Sequence, residues 1–260
     1  MIGVIGDNTI DRYVGEVERT FVGGNALNVA VQLHRHGRPV HYSGAVADDP
    51  DGQVVRAAVE AQGVGVTGLR TDPGETAVTL VEVAADGERS FAREDFGVTA
   101  RFVPAEAELD LLARCDWVHL GMTAAAQQVR DALRARGPVR LSQDCAVSPG
   151  HDGLEVAFLS VGDDRSRAPA AAREALAGGA RLAVATCGAA GAYATDGQRE
   201  WWQDATAADV VDTTGAGDSF IAGFIAARVD GHDVPTALRT GSQWAAATCG
   251  HLAGWPQDPS

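Results

Sequence analysis

Short apolar runs alternate with longer segments in which apolar residues recur every three or four positions along most of the chain. The short runs predict buried strands, and the periodic segments predict helices that pack on them. The predicted strands are 2–5, 40–45, 117–120, 139–142, 156–159 and 182–185, and the predicted helices are 25–36, 52–62, 107–113, 125–136 and 169–177. This alternation indicates an α/β fold with a mostly parallel central sheet and helices on both faces.

Two segments depart from this alternation. Residues 13–22 are polar and short, and residues 76–91 are typical of two alternating strands around a turn at Asp86 and Gly87. Such pieces near the start of an α/β chain predict either a β flap over the edge of the main sheet or an ordinary edge hairpin. Residues 193–202 predict a further hairpin, which turns at Asp196 and Gly197.

The length and composition favour a single domain. The chain has 260 residues, and its hydrophobic share of 45% is enough for a large core. No segment reaches the roughly 18 consecutive apolar residues of a membrane-spanning helix. The chain starts directly with an apolar run, so we expect no signal peptide. Its four cysteines form no CxxC pair, which favours reduced thiols in the cytoplasm.

The charged residues exclude several classes of function. The formal net charge is −14 and there is no basic run, so nucleic acid and anionic membranes are poor partners. The chain contains no lysine at all. This excludes a Walker A lysine, a strand lysine of the protein-kinase type and a Schiff-base mechanism.

The segment VVDTTGAGDSFIAGF, residues 210–224, places two glycines directly before an amphipathic helix. Gly215, Ala216 and Gly217 are therefore predicted at a helix N-terminus, where unpaired N–H groups can bind an anion. Asp218 in the first turn has two interpretations. It either caps the helix electrostatically, or acts as a general base beside a phosphate-binding turn.

Two further segments supply polar groups near predicted strand ends. In FVGGNALNVAVQLHRHG, two glycines precede a helix that carries Asn25 and Asn28, which indicates either a capping turn or an approach to a polyhydroxyl ligand. GDNTID follows the first strand, and its Asp7, Asn8 and Asp11 are candidates to bind hydroxyl groups, because ligands lie at the carboxyl ends of parallel strands. Ordinary turn chemistry explains either segment taken alone.

Taken together, these segments resemble the PfkB/ribokinase family of carbohydrate kinases. The resemblance rests on GGNALNVAVQLHRHG and DTTGAGDSFIAGF in that order, with AVADDPDGQ and ATCGAAGAYATDG between them, and it runs from residue 2 to about residue 250. Within the family the chain is most similar to fructoselysine kinases, through GDNxxD, residues 88–98, WVH at 117–119 and the GAGD turn. The resemblance implies a ribokinase-like fold with a small β lid.

The resemblance also implies a role for each matching residue. Asp218 matches the family's catalytic base, and its anion hole is matched by Gly215, Ala216 and Gly217. The sugar-side matches are Gly23, Gly24, Asn25, Asn28 and Asp11, beside which Asp7, Asn8 and Arg93 are further candidates. The nucleotide-side candidates are Ser160, Thr186, Gly188 and Gly191.

The family's cations and lid have counterparts as well. Asp212 and the Thr214 carbonyl lie where many members hold a monovalent cation, usually potassium, and segments 12–22 and 75–94 match a lid that often forms a homodimer. Many members carry Asn-x-x-Glu after the strand at 156–159, whereas this chain has Ser160 and Asp163. Asp163 is still the candidate magnesium ligand, because Mg²⁺ keeps several waters and a shorter acid can reach it through one.

The hypothesis is an ATP-dependent, magnesium-using kinase in one domain, 1–260, that phosphorylates a primary hydroxyl of a sugar or aminated sugar. One alternative is a different acceptor, such as ribose, 2-keto-3-deoxygluconate, fructose or a nucleoside. Another is a binding protein without catalysis, which the altered Asn-x-x-Glu position supports. A nicotinamide oxidoreductase would need a GxGxxG turn after the first strand, which GDNTID does not supply.

Overall fold

The computed structural model describes residues 1–14, 18–83 and 89–257. In chain order the strands are β1 Ile2–Ile5, β2 Thr9–Val14, β3 Arg19–Gly23, β4 Val40–Ala47, β5 Leu69–Asp72, β6 Val78–Val83, β7 Arg89–Asp95, β8 Trp117–Leu120, β9 Arg140–Asp144, β10 Val156–Ser160, β11 Leu182–Thr186, β12 Ala192–Thr195 and β13 Glu200–Gln203. The helices are α1 Asn25–Arg35, α2 Pro50–Ala61, α3 Glu106–Leu112, α4 Ala126–Arg136, α5 Ala168–Ala177, α6 Ala216–Val229 and α7 Val234–Thr248. Short 3-10 turns span Gly97–Arg101, Arg165–Arg167 and Gly188–Ala190.

Nine strands form the large sheet in the order β13-β12-β11-β10-β9-β8-β1-β4-β5. The seven strands from β11 to β5 are parallel to their neighbours, and the hairpin β12–β13 is added antiparallel at one edge. The mostly parallel sheet and the hairpin at residues 193–202 confirm the predictions from the sequence. Parallel pairing places the carboxyl ends of β1, β8, β9, β10 and β11 at one edge of the sheet.

The core lies on both faces of this sheet, because successive side chains of a buried strand point to opposite sides. Trp117 on β8 packs with apolar residues of α1, α6 and α7. Its neighbour Val118 packs on the other face with residues of α3, α4 and α5. Helix α6 is buried along most of its length. No helix in the described part of the chain is long and apolar enough to cross a membrane.

A second sheet has the order β3-β2-β6-β7, in which β2 and β6 are parallel and the outer pairs are antiparallel. It confirms the predicted small β element, although the predicted turn at Asp86 and Gly87 lies outside the described residues. The side chain of Gln257 pairs with the backbone of Val22 on the edge strand β3, accepting and donating one hydrogen bond, each of 2.9 Å. The end of the chain thus covers part of that edge.

The sequence pattern missed some elements. Strand β5 and helix α7 were not among the predicted elements, and β9 ends at Asp144 instead of residue 142. The last two residues of β9 are polar but buried, and Gln143 donates a hydrogen bond of 2.7 Å to the Ser148 carbonyl. A prediction based on runs of apolar residues therefore ends β9 before its polar last two residues.

Candidate active site

A cleft of about 440 Å³ lies between the carboxyl edge of the large sheet and one face of the small sheet. Its walls come from the loop after β1, the start of α1, the small sheet and the turn before α6. The lining residues are Asp7, Asn8, Thr9, Asp11, Tyr13, Gly24, Asn25, Asn28, Ala77, Thr79, Val81, Glu94, Asp95, Phe96, Met122, Thr213, Thr214, Gly215 and Asp218. The cleft therefore brings together two sequence signatures that are far apart in the chain.

Helix α6 begins with an open N-terminus at this cleft. Gly215 precedes the helix in a left-handed conformation, with φ of 73°, and a Cβ on it would lie 2.6 Å from Gly254 Cα. The Ala216 N–H donates to the Thr213 carbonyl at 3.2 Å. Within the described residues, the Gly215 and Gly217 amides have no acceptor. A Cβ on Gly217 would meet nothing within 4 Å, so an anion has room to reach this turn.

Two asparagines of α1 hold the carboxylate of Asp218. Asn25 Nδ2 donates to Asp218 Oδ1 at 2.7 Å, and Asn28 Nδ2 donates to Asp218 Oδ2 at 2.6 Å. Burial raises the pKa of Asp218 well above its ordinary value, the Asn28 hydrogen bond opposes this, and the charges of Asp144 and Asp7 add to it. A carboxylate with a raised pKa beside open backbone amides at a helix N-terminus has the chemical properties that a general base needs.

The amide of Asn25 also connects Asp218 to a second acid. Asn25 Nδ2 lies 2.8 Å from Asp144 Oδ2, so one NH₂ group serves two carboxylates. Asp144 is the last residue of β9 and is buried, which raises its pKa. Sequence reasoning missed this residue. Ligands lie at the carboxyl ends of parallel strands. That rule would have identified Asp144 if the predicted strand had run to the true end of β9 instead of stopping at residue 142.

The N-terminus of α1 is closed by the protein itself. Asp7 accepts hydrogen bonds from the backbone N–H groups of Asn25, at 2.7 Å, and Ala26, at 2.9 Å. Burial raises the pKa of Asp7 to about 6, and these backbone hydrogen bonds oppose the rise. Gly24 has φ of 114°, and a Cβ there would lie 2.5 Å from Asn8 Cα. Asp7 and Gly24 thus build the wall of the cleft through contacts within the chain.

Asn8 and Gly23 also have contacts within the chain. Asn8 is fully buried, and its Nδ2 donates to the Tyr42 hydroxyl at 3.1 Å and to the Ala45 carbonyl at 2.9 Å. A Cβ on Gly23 would collide with the carboxylate of Asp11. Asn8 lines the cleft and Gly23 lies behind Asp11, and these contacts give both predicted substrate-binding residues a structural role.

Asp11 lies on the face of the small sheet that lines the cleft. The strand register places it beside Thr79, and Thr79 beside Glu94, so that the three residues form one row across β2, β6 and β7. Burial, followed by the charges of Asp7, Asp212 and Glu94, raises the pKa of Asp11 to about 8. Glu94 was not among the predicted site residues.

Arg93 is not brought to the cleft. It precedes Glu94 on β7, so its side chain points to the opposite face of the sheet. There it is exposed, and its Nη2 lies 3.2 Å from Asp95 Oδ2. Because side chains alternate along β7, the cleft contains the acidic Glu94 and not the basic Arg93 that was predicted there.

The nucleotide-side candidates lie at the same edge of the large sheet, outside the 440 Å³ cleft. Ser160 ends β10 and is exposed, and Thr186 ends β11 and donates to the Leu159 carbonyl at 3.2 Å. Gly188 and Gly191 both have positive φ, of 51° and 96°. Both glycines lie in the loop that follows β11 at the carboxyl edge of the sheet.

Two predicted cation positions can be compared with the donor groups present. Asp163 is exposed and accepts one hydrogen bond, of 3.3 Å, from the Ala189 N–H. The described residues hold no group of three His, Cys, Asp or Glu side chains fit to bind a metal. One carboxylate is nevertheless compatible with magnesium that arrives on nucleotide phosphates and keeps its waters.

Asp212 has a structural role in this state. Its two carboxylate oxygens accept hydrogen bonds from the Thr214 N–H, at 2.8 Å, and the Ala253 N–H, at 2.9 Å. The hydroxyl of Thr214 lies 3.2 Å from the Tyr13 hydroxyl on β2. These contacts join the α6 turn to the small sheet and to the C-terminal segment, and a potassium ion would have to share the Asp212 oxygens with them.

Comparison with known proteins agrees with this geometry. The family model described as pfkB family carbohydrate kinase matches residues 8–254. The chain is 33% identical to the fructoselysine 6-kinase of Escherichia coli (strain K12), over 98% of this chain and 99% of that protein. It is 32% identical to a fructosamine kinase of Bacillus subtilis (strain 168), over 95% of this chain and 89% of that protein.

The fold has solved counterparts. The ribokinase of Arabidopsis thaliana, complexed with ribose and ATP, superimposes with a TM-score of 0.85 at 20% identity, covering 95% of this chain and 92% of that one. The ribokinase of Thermotoga maritima gives a TM-score of 0.84 at 18% identity, covering 97% and 94%. The ribokinase-like fold expected from the sequence is therefore confirmed. The family match covers nearly the whole chain, and this protein belongs to the pfkB family of carbohydrate kinases.

Proposed function

We propose that this kinase transfers the γ-phosphoryl group of ATP to a primary hydroxyl of a sugar or aminated sugar, with Asp218 as the general base. The observation that carries the proposal is the position of Asp218. It lies in the first turn of a helix whose N-terminus is open, and its carboxylate faces a cleft that fits a small acceptor. An acceptor hydroxyl hydrogen-bonded to Asp218 would lie beside a phosphate on the same turn.

Each neighbouring group has a part in this reaction. Asn25 and Asn28 orient the Asp218 carboxylate, each through one of its oxygens. The free amides of Gly215 and Gly217 hold the charge that develops on the transferred group. Mg²⁺, held in part by Asp163, supplies further charge neutralisation on the nucleotide phosphates.

The acceptor we propose is an aminated sugar of the fructoselysine type. Two relatives above 30% identity act on such compounds by name, and one of them matches this chain end to end. Arginine, histidine and lysine are absent from the residues that line the described cleft, which argues against a phosphorylated acceptor. A neutral sugar such as ribose or fructose is the remaining alternative.

Several further properties belong to the same proposal. The nucleotide lies along Ser160, Thr186, Gly188 and Gly191, and the small sheet closes over the acceptor as a lid. The lid is also the surface through which a homodimer forms. Potassium at Asp212 and Thr214 is proposed from the family resemblance alone. The four thiols are all free, in agreement with a cytoplasmic enzyme.

The test is ADP release with Mg·ATP, in the presence and absence of potassium, across fructoselysine, ribose, fructose and 2-keto-3-deoxygluconate. We expect selective turnover of fructoselysine, and a loss of about 10²–10⁴-fold in kcat for Asp218→Asn, with nucleotide binding retained. Near-normal turnover in Asp218→Asn would refute the role of the base. Nucleotide binding without turnover of any sugar would favour the alternative of a binding protein without catalysis. The substitutions at Ser160 and Asp163 would then be the first explanation to test.

A further inference from the structure

One end of the cleft carries acidic groups without counter-ions. Asp11 has only 9% of its surface exposed, yet it has no hydrogen-bond or ion-pair partner within the described residues. Glu94, two strands away in the same cross-strand row, is exposed and likewise has no hydrogen-bond or ion-pair partner within the described residues. A buried carboxylate is normally paired or hydrogen-bonded, because desolvation of an unpaired charge is costly. Something outside this chain is therefore expected to satisfy it.

The surroundings define what that partner is. Asp7, Asp212 and Glu94 are the charged groups that act on Asp11, and all three are acidic. The hydroxyl of Thr79, between Asp11 and Glu94, lies 3.1 Å from the Thr9 hydroxyl. No cationic side chain is among the described residues that line the cleft. The complement of this row is a cation that also donates hydrogen bonds, which an ammonium group does.

Two arginines of the small sheet, Arg12 and Arg93, lie next to Asp11 and Glu94 in the chain but on the opposite face of the sheet. Arg12 follows Asp11 on β2, and Arg93 precedes Glu94 on β7, so both point away from the cleft. Each is already paired, Arg12 with Asp51 at 2.7 Å and Arg93 with Asp95 at 3.2 Å. On β2 and β7, Asp11 and Glu94 thus face the cleft, and the adjacent Arg12 and Arg93 face away from it.

We propose that the acceptor carries a protonated amine, and that this ammonium group binds between Asp11 and Glu94 while the sugar hydroxyl reaches Asp218. This inference rests on the proposed function, because it concerns the acceptor of the same cleft, and it assigns charge selectivity to two named residues. An ammonium here would offset the cost of ionising Asp11. Asp218 at the other end would remain available as the base.

Binding can be measured without the reaction. Calorimetry on the full chain, without nucleotide, compares 1-amino-1-deoxyfructose, fructose and fructose 1-phosphate, which are cationic, neutral and anionic at the same carbon. We expect the amine to bind at least about tenfold more tightly than fructose, and the phosphate to bind most weakly. Equal binding of the three, preference for the phosphate, or no binding of the amine would overturn the proposal.

Two variants test whether Asp11 and Glu94 cause the preference for the amine over fructose. Asp11→Asn and Glu94→Gln should each lower the ratio of amine to fructose affinity by about tenfold, because each removes one charge and keeps the shape. Glu82→Gln is the matched control, since Glu82 is exposed on β6, three residues after Thr79, and points to the other face. A wild-type ratio in both test variants, or an equal fall in the control, contradicts the assignment.

Turnover separates this proposal from the proposed function. If the amine binds selectively but is never phosphorylated, the charge assignment stands and the kinase reaction on this acceptor does not. If fructose and the amine are phosphorylated with equal kcat/KM, the kinase stands and the charge assignment fails. Thermal melting of each variant shows that it is folded, and Glu94→Gln remains informative even if Asp11→Asn does not fold.

Discussion

Two helices, α1 and α6, have their N-termini at the same cleft, and they differ in whether the protein itself caps the first backbone N–H groups. Both α1 and α6 follow a glycine with positive φ, Gly24 at 114° and Gly215 at 73°, and neither glycine can provide a side-chain cap. The first N–H groups of α1 are taken by Asp7. At α6 the Ala216 N–H donates to the Thr213 carbonyl, whereas the Gly215 and Gly217 amides have no acceptor within the described residues. The same local pattern therefore builds a wall of the cleft at α1 and leaves open amides at α6, the proposed anion site.

The difference lies in which residue reaches each helix end. Asp7 arrives from the loop after β1 and satisfies α1 with two charge-assisted hydrogen bonds. At α6, the acid is part of the first turn itself, and its oxygens are held by Asn25 and Asn28. The backbone amides of Gly215 and Gly217 thus stay available to a ligand. Capping and anion binding are alternative uses of the same unpaired groups.

The largest effect is expected from Gly24→Ala. The new Cβ would lie 2.5 Å from Asn8 Cα, and the positive φ disfavours any side chain. We expect the free energy of unfolding to fall by about 3 kcal/mol. Urea denaturation measures this change. A loss below about 0.5 kcal/mol would show that the α1 turn is not tightly packed.

Gly217→Ala should show the opposite behaviour. The folded protein has room for this methyl group, because no atom lies within 4 Å, and φ is not positive. We expect stability to be retained and kcat/KM for ATP to fall by about ten- to a hundredfold, since the methyl group blocks the approach of phosphate. Gly65→Ala is the control, because its Cβ also meets nothing within 4 Å and Gly65 lies beside His41 near the start of β4, away from the α6 turn. Unchanged kinetics in Gly217→Ala would place the phosphate elsewhere.

Asp7→Asn tests the closed helix end. One carboxylate oxygen becomes an NH₂ group that faces a backbone N–H, so one buried donor loses its acceptor. We expect a loss of about 1–3 kcal/mol in the free energy of unfolding. Asp209→Asn, at an exposed position, should change stability little. Equal stability of both variants would mean that Asp7 does not cap α1.

The smallest effect concerns the acid shared through Asn25. Asp144→Asn removes a negative charge that helps to raise the pKa of Asp218. Because the base must be deprotonated, the acidic limb of the kcat–pH profile should move to lower pH, by about one unit. Asp131→Asn, on the exposed face of α4, should leave the profile in place. A lower kcat with an unshifted limb would indicate a purely structural role for Asp144.

The sequence patterns located most of the fold because they are local. β1 and β8 have the predicted bounds, and the other predicted strands of the large sheet and the helices are displaced by at most two residues at an end. The small sheet runs further than predicted, because β2 starts at Thr9 and β7 ends at Asp95. β9 was cut short because Gln143 and Asp144 are polar, although hydrogen bonds make them compatible with burial. The motifs also located the cleft: most residues predicted on the sugar side lie at or beside it.

Arg93 and Glu94 show what such patterns leave undecided. They are adjacent in the chain, and the sequence offers no preference for one over the other as a cleft residue. The pairing of β7 with β6 decides it, because a shift of one residue would exchange the two faces. Asp144 shows the same limit, since its partner Asn25 is 119 residues away.

By itself, the sequence determined the strand and helix order, the family and the position of Asp218, the proposed base, at a helix start, because period, glycine placement and capping act between near neighbours. Only the tertiary structure decided which helix end is filled, which face of the small sheet is acidic, and that Asn25 reaches Asp218 across 193 residues of chain. Those outcomes depend on register and on contacts between distant segments, which no local pattern encodes.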